Sequence, residues 1–197
     1  MDTPKTLTTE ESNKLIYAIH KEHNTQMQAR RAKRNTCIAL LMLDAGLRVG
    51  EVSQLKKAAL IMLDEAVKTI YLPASITKTK QDRAVPTTER LRESIKELNN
   101  DCWQYSSTGG EGWAFWSNNS SIPITTRQIE RVIALAGLRA LGRAINPHLL
   151  RHTFASRLMR VTNARVVQQL LGHKSLTSTQ IYTHPNGDDL NEAIKKL

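Results

Sequence analysis

Apolar positions along this chain repeat with two different periods, and the change of period divides it into parts. Thr8 or Thr9 precedes Glu10-Glu11 and then Leu15, Ile16 and Ile19, which predicts a capped helix over about 9–22. The stretch from His20 to Arg34 is polar and basic and reads as helix end plus loop. Ile38, Leu41, Met42 and Ala45 then return at helical spacing, with Gly46 as the stop. A short helix is expected from Gly50 to about Lys56.

Beyond it the period shortens. Ile61-Met62-Leu63, Thr69-Ile70-Tyr71-Leu72 and Arg83-Ala84-Val85-Pro86 read as three short strands, the last two joined through the polar stretch Thr77 to Asp82. A helix over about 88–98, a loop over 106–112 and the apolar group Trp113, Phe115 and Trp116 follow. Those aromatics suit core and strand edge better than base stacking. Thr125 or Thr126 caps a helix bearing Ile129, Val132, Ile133 and Leu135. Short helices are expected over about 147–160, 163–171 and 175–183, and Leu190, Ile194 and Leu197 form a one-sided stripe on a last helix over 188–197. The fold class expected is mainly α with a small three-stranded antiparallel β-sheet, as one domain over 1–197.

Composition changes this picture in one respect. Hydrophobic residues make up 40%, within the globular range, but 28 Lys and Arg face 18 Asp and Glu, for a net charge of +10. Such an excess suits a polyanion, of which nucleic acid is the commonest. Arg30, Arg31, Lys33, Arg34, Lys56 and Lys57 are candidates for phosphate-backbone contact, or simply solvated surface. Cys37 and Cys102 lack metal-type spacing and read as free thiols of a reducing cytoplasm. No apolar run approaches the ~20 residues that span a bilayer, so no membrane partner and a cytoplasmic location are expected.

Candidate chemistry concentrates in 146–184. Pro147 suits the first turn of a helix, on which His148 and Arg151 share a face. An Arg fork beside a His suits a phosphate. Gly172 ends the next helix and leaves His173 at its terminus, nine residues before Tyr182. Tyr182 could serve as a nucleophile only if neighbours take its proton. Singly, each of these is more commonly a cap, a packed side chain or a surface charge.

Together they resemble a known set. His148-Leu-Leu-Arg151-His152, Leu171-Gly172-His173 and Tyr182-Thr183-His184 resemble the boxes of the tyrosine recombinases, the phage-integrase family. Asp44-Ala-Gly-Leu-Arg48-Val-Gly-Glu51 resembles the box of that family's first catalytic Arg. Thr77-Lys78-Thr-Lys80-Gln-Asp-Arg83-Ala-Val-Pro86 resembles the hairpin of its catalytic Lys, at Lys78 with Lys80 as fallback. The resemblance runs from about Leu7 to Leu197.

It implies the family's catalytic-domain fold and a site-specific recombinase that cuts and rejoins double-stranded DNA through a 3′-phosphotyrosyl bond at Tyr182. Arg48 and Arg151 would clamp the phosphate, Lys78 protonate the leaving 5′-oxygen, His148 take the Tyr182 proton and His173 donate to the phosphate. Glu51 would aim Arg48, and His152 would be a buried or capping partner. No cofactor and no metal are implied. Self-association, as a tetramer on DNA, is expected, with accessory DNA-bending proteins as further partners; the stripe of the 188–197 helix could pack on its own domain, and by resemblance it is expected instead to be exchanged between protomers. The family's separate N-terminal helical domain is expected to be absent from this chain, because the catalytic pattern begins by Leu7, so the chain is expected to be either a fragment or a small stand-alone recombinase. The rival readings are a type IB topoisomerase-like enzyme and a DNA-binding regulator that does not cut.

Overall fold

The computed structural model of the chain describes residues 6–21, 25–103, 111–117 and 121–173. In order these form α1 (Thr9–His20), α2 (Gln26–Leu43), α3 (Val49–Ser53), a 3₁₀ turn (Lys57–Ala59), β1 (Ile61–Met62), β2 (Glu65–Ala66), β3 (Thr69–Leu72) and β4 (Arg83–Pro86). Then come α4 (Glu89–Asp101), α5 (Thr126–Leu141), α6 (Pro147–Met159) and α7 (Ala164–Leu171). The chain is mainly helical with small antiparallel pairs of strands, as its pattern predicts. The expected helices over 175–183 and 188–197 lie outside the described residues.

Side chains set the helix starts. Thr8 accepts a hydrogen bond from the Glu11 N–H, and the Glu11 carboxylate accepts from the Thr8 N–H, satisfying two donors that a helix start leaves open. Thr88, Thr125, Asn146 and Asn163 cap α4, α5, α6 and α7 in the same sense.

α2 is the central element, packing against α1, α4, α5 and α6. Residues Cys37 through Leu43 are all buried. Its start corrects an expectation: Thr25 caps a helix whose first two turns are the polar, basic stretch expected as loop. Gln, Arg, Ala and Lys are good helix formers, so this segment is helical although it lacks an apolar stripe. The Cys37 thiol, wholly buried, is pushed up to about 12, and burial raises Cys102 to about 11.

The three-stranded sheet is also corrected. The described residues form two separate pairs, β1 with β2 and β3 with β4. Leu63 and Asp64 both hold positive φ (51° and 62°), which folds Ile61-Met62 back onto Glu65-Ala66 instead of onto β3. In the second pair Ile70 lies opposite Val85 and Leu72 opposite Arg83, all four facing inward. Phe115 is fully buried, in line with the core reading of that segment. On α5, Ile129, Ile133 and Ala136 are buried, whereas Leu135 is exposed.

Two apolar clusters result among the described residues. The large one draws on α1 to α6, the strands and Phe115. The small one holds Ala155, Val167 and Leu171, with Phe154, Leu158 and Met159 around them, and fixes α7 to the second half of α6. No described helix is long and apolar enough to cross a membrane.

Candidate active site

The site forms where α2 ends. Gly46 takes φ +61° and lets the chain turn sharply, with the Leu47 N–H reaching back to the Leu41 carbonyl. The turn delivers Arg48 to the start of α3. Glu51, three residues on, accepts from the Arg48 main-chain N–H at 2.7 Å and from its Nη1 at 3.1 Å. Glu51 therefore aims Arg48, as expected. It has a second partner that sequence reasoning passed over: Arg83 of β4 grips the same carboxylate through Nη1 at 2.6 Å and Nη2 at 2.7 Å. Burial alone would raise the Glu51 carboxyl, but Arg83 and then Arg48 hold it below its ordinary value. The available signal was a charged residue at an inward position of an alternating strand.

Arg151, one turn into α6, reaches the same place from below. It is buried and donates to the main-chain carbonyl of Gly46 and, at 2.7 Å, to that of Leu171. These contacts tie the end of α2 to the end of α7. Gly172, at φ +62°, ends α7 and turns His173 back, where the His173 Nε2 lies 3.4 Å from an Arg151 Nη. Burial, then the charges of Arg151, Arg48, Arg83 and His152, lower His173 to about 4. The ring is neutral at pH 7. Arg48, Arg151 and His173 thus converge, and a cluster with two guanidiniums and a neutral imidazole suits an anion with several oxygens.

The remaining candidates stand differently. His148 is exposed on the first turn of α6, one turn before His152, whose pKa burial, His148 and Arg151 all lower. Lys78 is exposed in the loop between β3 and β4 and makes no hydrogen bond or ion pair among the described residues. Its neighbour Thr77 is buried and braces the loop, donating to the Gln81 carbonyl at 2.9 Å and accepting from the Gln81 N–H at 3.2 Å. Lys80 follows at φ 56°. Tyr182 lies outside the described residues.

Beside His173 an open cleft of about 810 Å³ runs between the strand pair and α7, lined among others by Tyr71, Gln81, Arg83, Arg165 and Gln169. Among the described residues no group of His, Cys, Asp and Glu is placed to hold a metal ion. Two of the basic candidates are committed elsewhere: Lys57 is buried, and Lys56 lies over the Trp113 ring at 3.4 Å. Lys33 pairs with Asp101, and Arg34 bonds the Trp116 carbonyl, which leaves Arg31 as the most open of the group.

Comparison with known proteins gives a consistent result. The profile of the phage integrase family matches residues 5–188. A tyrosine recombinase of Pseudothermotoga lettingae is 32% identical over 166 residues, covering 84% of this chain and 54% of that protein. Tyrosine recombinase XerC of Pediococcus pentosaceus is 31% identical over 193 residues, covering 94% and 60%. The chain therefore spans little more than half the length of these relatives. Among solved structures, the XerA recombinase superposes with a TM-score of 0.77 at 29% identity, covering 99% of this chain and 66% of that one. The XerH site-specific recombinase, bound to a palindromic difH substrate after cleavage, gives 0.70 at 30% identity, covering 98% and 53%.

Proposed function

This chain belongs to the phage integrase family, and from that premise we propose that it is a site-specific recombinase acting on double-stranded DNA. The Tyr182 oxygen attacks a backbone phosphorus as the bond to the 5′-oxygen breaks, leaving a 3′-phosphotyrosyl link. His148 takes the phenolic proton, and Lys78 supplies one to the departing 5′-oxygen. A 5′-hydroxyl of a partner strand then attacks the phosphorus and releases Tyr182. The number of phosphoester bonds is conserved throughout, so no external energy source is required.

The observation that carries this reading is the convergence of Arg48, Arg151 and His173. Negative charge grows on the non-bridging oxygens in the transition state, and preorganised donors stabilise it without reorganising. Removing one such donor typically costs ~3–4 kcal/mol of barrier. Acid–base help from Lys78 and His148 would contribute ~10²–10⁴-fold. His173 is neutral before DNA arrives; a phosphate beside it would offset the guanidinium charges and make protonation easier.

The protein works inside the cell and tetramerises on DNA, with DNA-bending proteins as accessory partners. Its 188–197 segment passes to a neighbouring protomer. Deleting 188–197 should impair synapsis more than monomer stability, and equal loss of both would count against exchange.

Covalent capture in cells is the decisive experiment, with the protein and Tyr182→Phe expressed side by side and the attached 3′ ends sequenced. Adducts at a few recurring sites, absent from the variant, are expected. Scattered adducts would indicate topoisomerase-like nicking and closing. DNA binding with no adducts from either protein would indicate a regulator that does not cut.

A further inference from the structure

Arg83 is a charged side chain at a strand position built for an apolar one. It faces inward opposite Leu72, and its side chain is 6% exposed. The Glu51 carboxylate accounts for its burial, but the sharing of that carboxylate is unequal. Oε1 accepts from Arg83 Nη1 at 2.6 Å and from Arg48 Nη1 at 3.1 Å. Oε2 accepts from Arg83 Nη2 and from the Arg48 main-chain N–H, both at 2.7 Å. Arg83 occupies the two-pronged geometry that a carboxylate and a guanidinium favour, and Arg48 is left with one side-chain contact. The other side-chain donors of Arg48 stay outside the ion pair.

Two further observations set Arg83 apart. Its Nε is buried and has no hydrogen-bond partner among the described residues, a cost the fold tolerates while both terminal nitrogens face Glu51. It also backs the turn before His173. A Cβ on Gly172 would lie 3.1 Å from Arg83 Cδ and 3.3 Å from its Nη1. One side chain thus touches both the carboxylate that holds Arg48 and the turn that presents His173.

We propose that Arg83 is a positioning residue, which fills the fork of Glu51 so that Arg48 remains available to a phosphate, and which supports the turn carrying His173. This rests on reading Arg48 and His173 as phosphate-binding groups. Without Arg83, Glu51 would draw Arg48 into the two-pronged pairing and away from the anion. Neutralising a buried charge is not enough for this role; the planar fork is required.

The test uses inorganic phosphate, titrated into the full chain and followed through the ring protons of His173 by NMR. Arg83→Lys keeps the charge and loses the fork. Arg83→Gln loses both, and adding Glu51→Gln removes the group that would capture Arg48. Arg83→Lys and Arg83→Gln should each bind phosphate about tenfold more weakly, the size of one lost charged hydrogen bond. The double variant should recover most of that loss. Wild-type affinity in Arg83→Lys overturns the proposal, as does a double variant no better than Arg83→Gln, or a wild-type protein that gives no phosphate response. Should Arg83→Gln fail to fold, Arg83→Lys decides alone. The titration needs neither DNA nor Tyr182, so a lack of covalent adducts in cells would count against the recombinase reading only.

Discussion

Arg48 and His173 share one cluster, but the regions that carry them are built unequally. Arg48 follows the buried half of α2 and stands on the large apolar cluster, with Leu41, Met42 and Leu47 fully enclosed nearby. His173 follows α7, a helix of eight residues fixed by a cluster in which Ala155, Val167 and Leu171 are the buried members. α6 joins the two, with Leu150 in the large cluster and Ala155 in the small one. Burial stabilises in proportion to apolar area, so with the smaller apolar cluster it has among the described residues the second region is expected to open at a free energy below global unfolding. The cluster of Arg48, Arg151 and His173 is therefore half rigid frame and half lightly fastened arm.

The contrast can be broken by mutation. Leu41→Ala should be the most damaging change, at roughly 4 kcal/mol in denaturant unfolding, because it opens a cavity where little can collapse. Gly46→Ala should rank next, at roughly 3 kcal/mol. A Cβ there would meet the Phe154 ring at 2.3 Å on a backbone already at φ +61°, so one methyl strains the frame and presses on the arm. Leu171→Ala should lower global stability by only about 1 kcal/mol, since local opening caps its cost, while amide exchange across 164–171 rises sharply. If Leu171→Ala cost as much as Leu41→Ala, the two regions would be one cooperative unit and the contrast would be wrong.

A separate expected effect is on pH dependence. Folding lowers His173 from its ordinary 6.5 to about 4, so the unfolded chain binds the extra proton between those values. The stability linked to this group is complete above pH 6.5 and is lost as pH falls toward 4. Glu51, also lowered on folding, adds its loss below its ordinary 4.5. The denaturation midpoint should therefore fall between pH 7 and 5, and His173→Gln should flatten that interval. A slope unchanged in His173→Gln would assign the effect elsewhere.

Sequence reading succeeded where a local rule had a local cause. Thr8, Pro147 and the Gly172 stop mark helix boundaries through effects within a few residues of themselves. It failed where the cause was conformational or distant. Nothing in Ile61-Met62-Leu63 announces that Leu63 and Asp64 take left-handed φ, and the start of α2 has no apolar stripe to betray it. At the site, Arg48, Arg151 and His173, which the fold brings together, were legible as candidates from spacing and resemblance, as was His148, which the fold leaves exposed on the first turn of α6, and so was the pairing of Glu51 with Arg48. Arg83 was not, because its partner lies 32 residues away and the pairing exists only once β4 has met α3.

The anchoring of Arg151 has a consequence for how this site would look to a mutational scan. Its guanidinium is held by the main-chain carbonyls of Gly46 and Leu171. Every residue type offers a carbonyl, so no side-chain replacement deletes either acceptor. A scan would score position 46 for its backbone angle and position 171 for its bulk, and neither score would report the hydrogen bond. These two acceptors become visible only to chemistry that edits the backbone itself, such as replacement of the peptide link with an ester, which weakens the carbonyl as an acceptor while keeping every side chain.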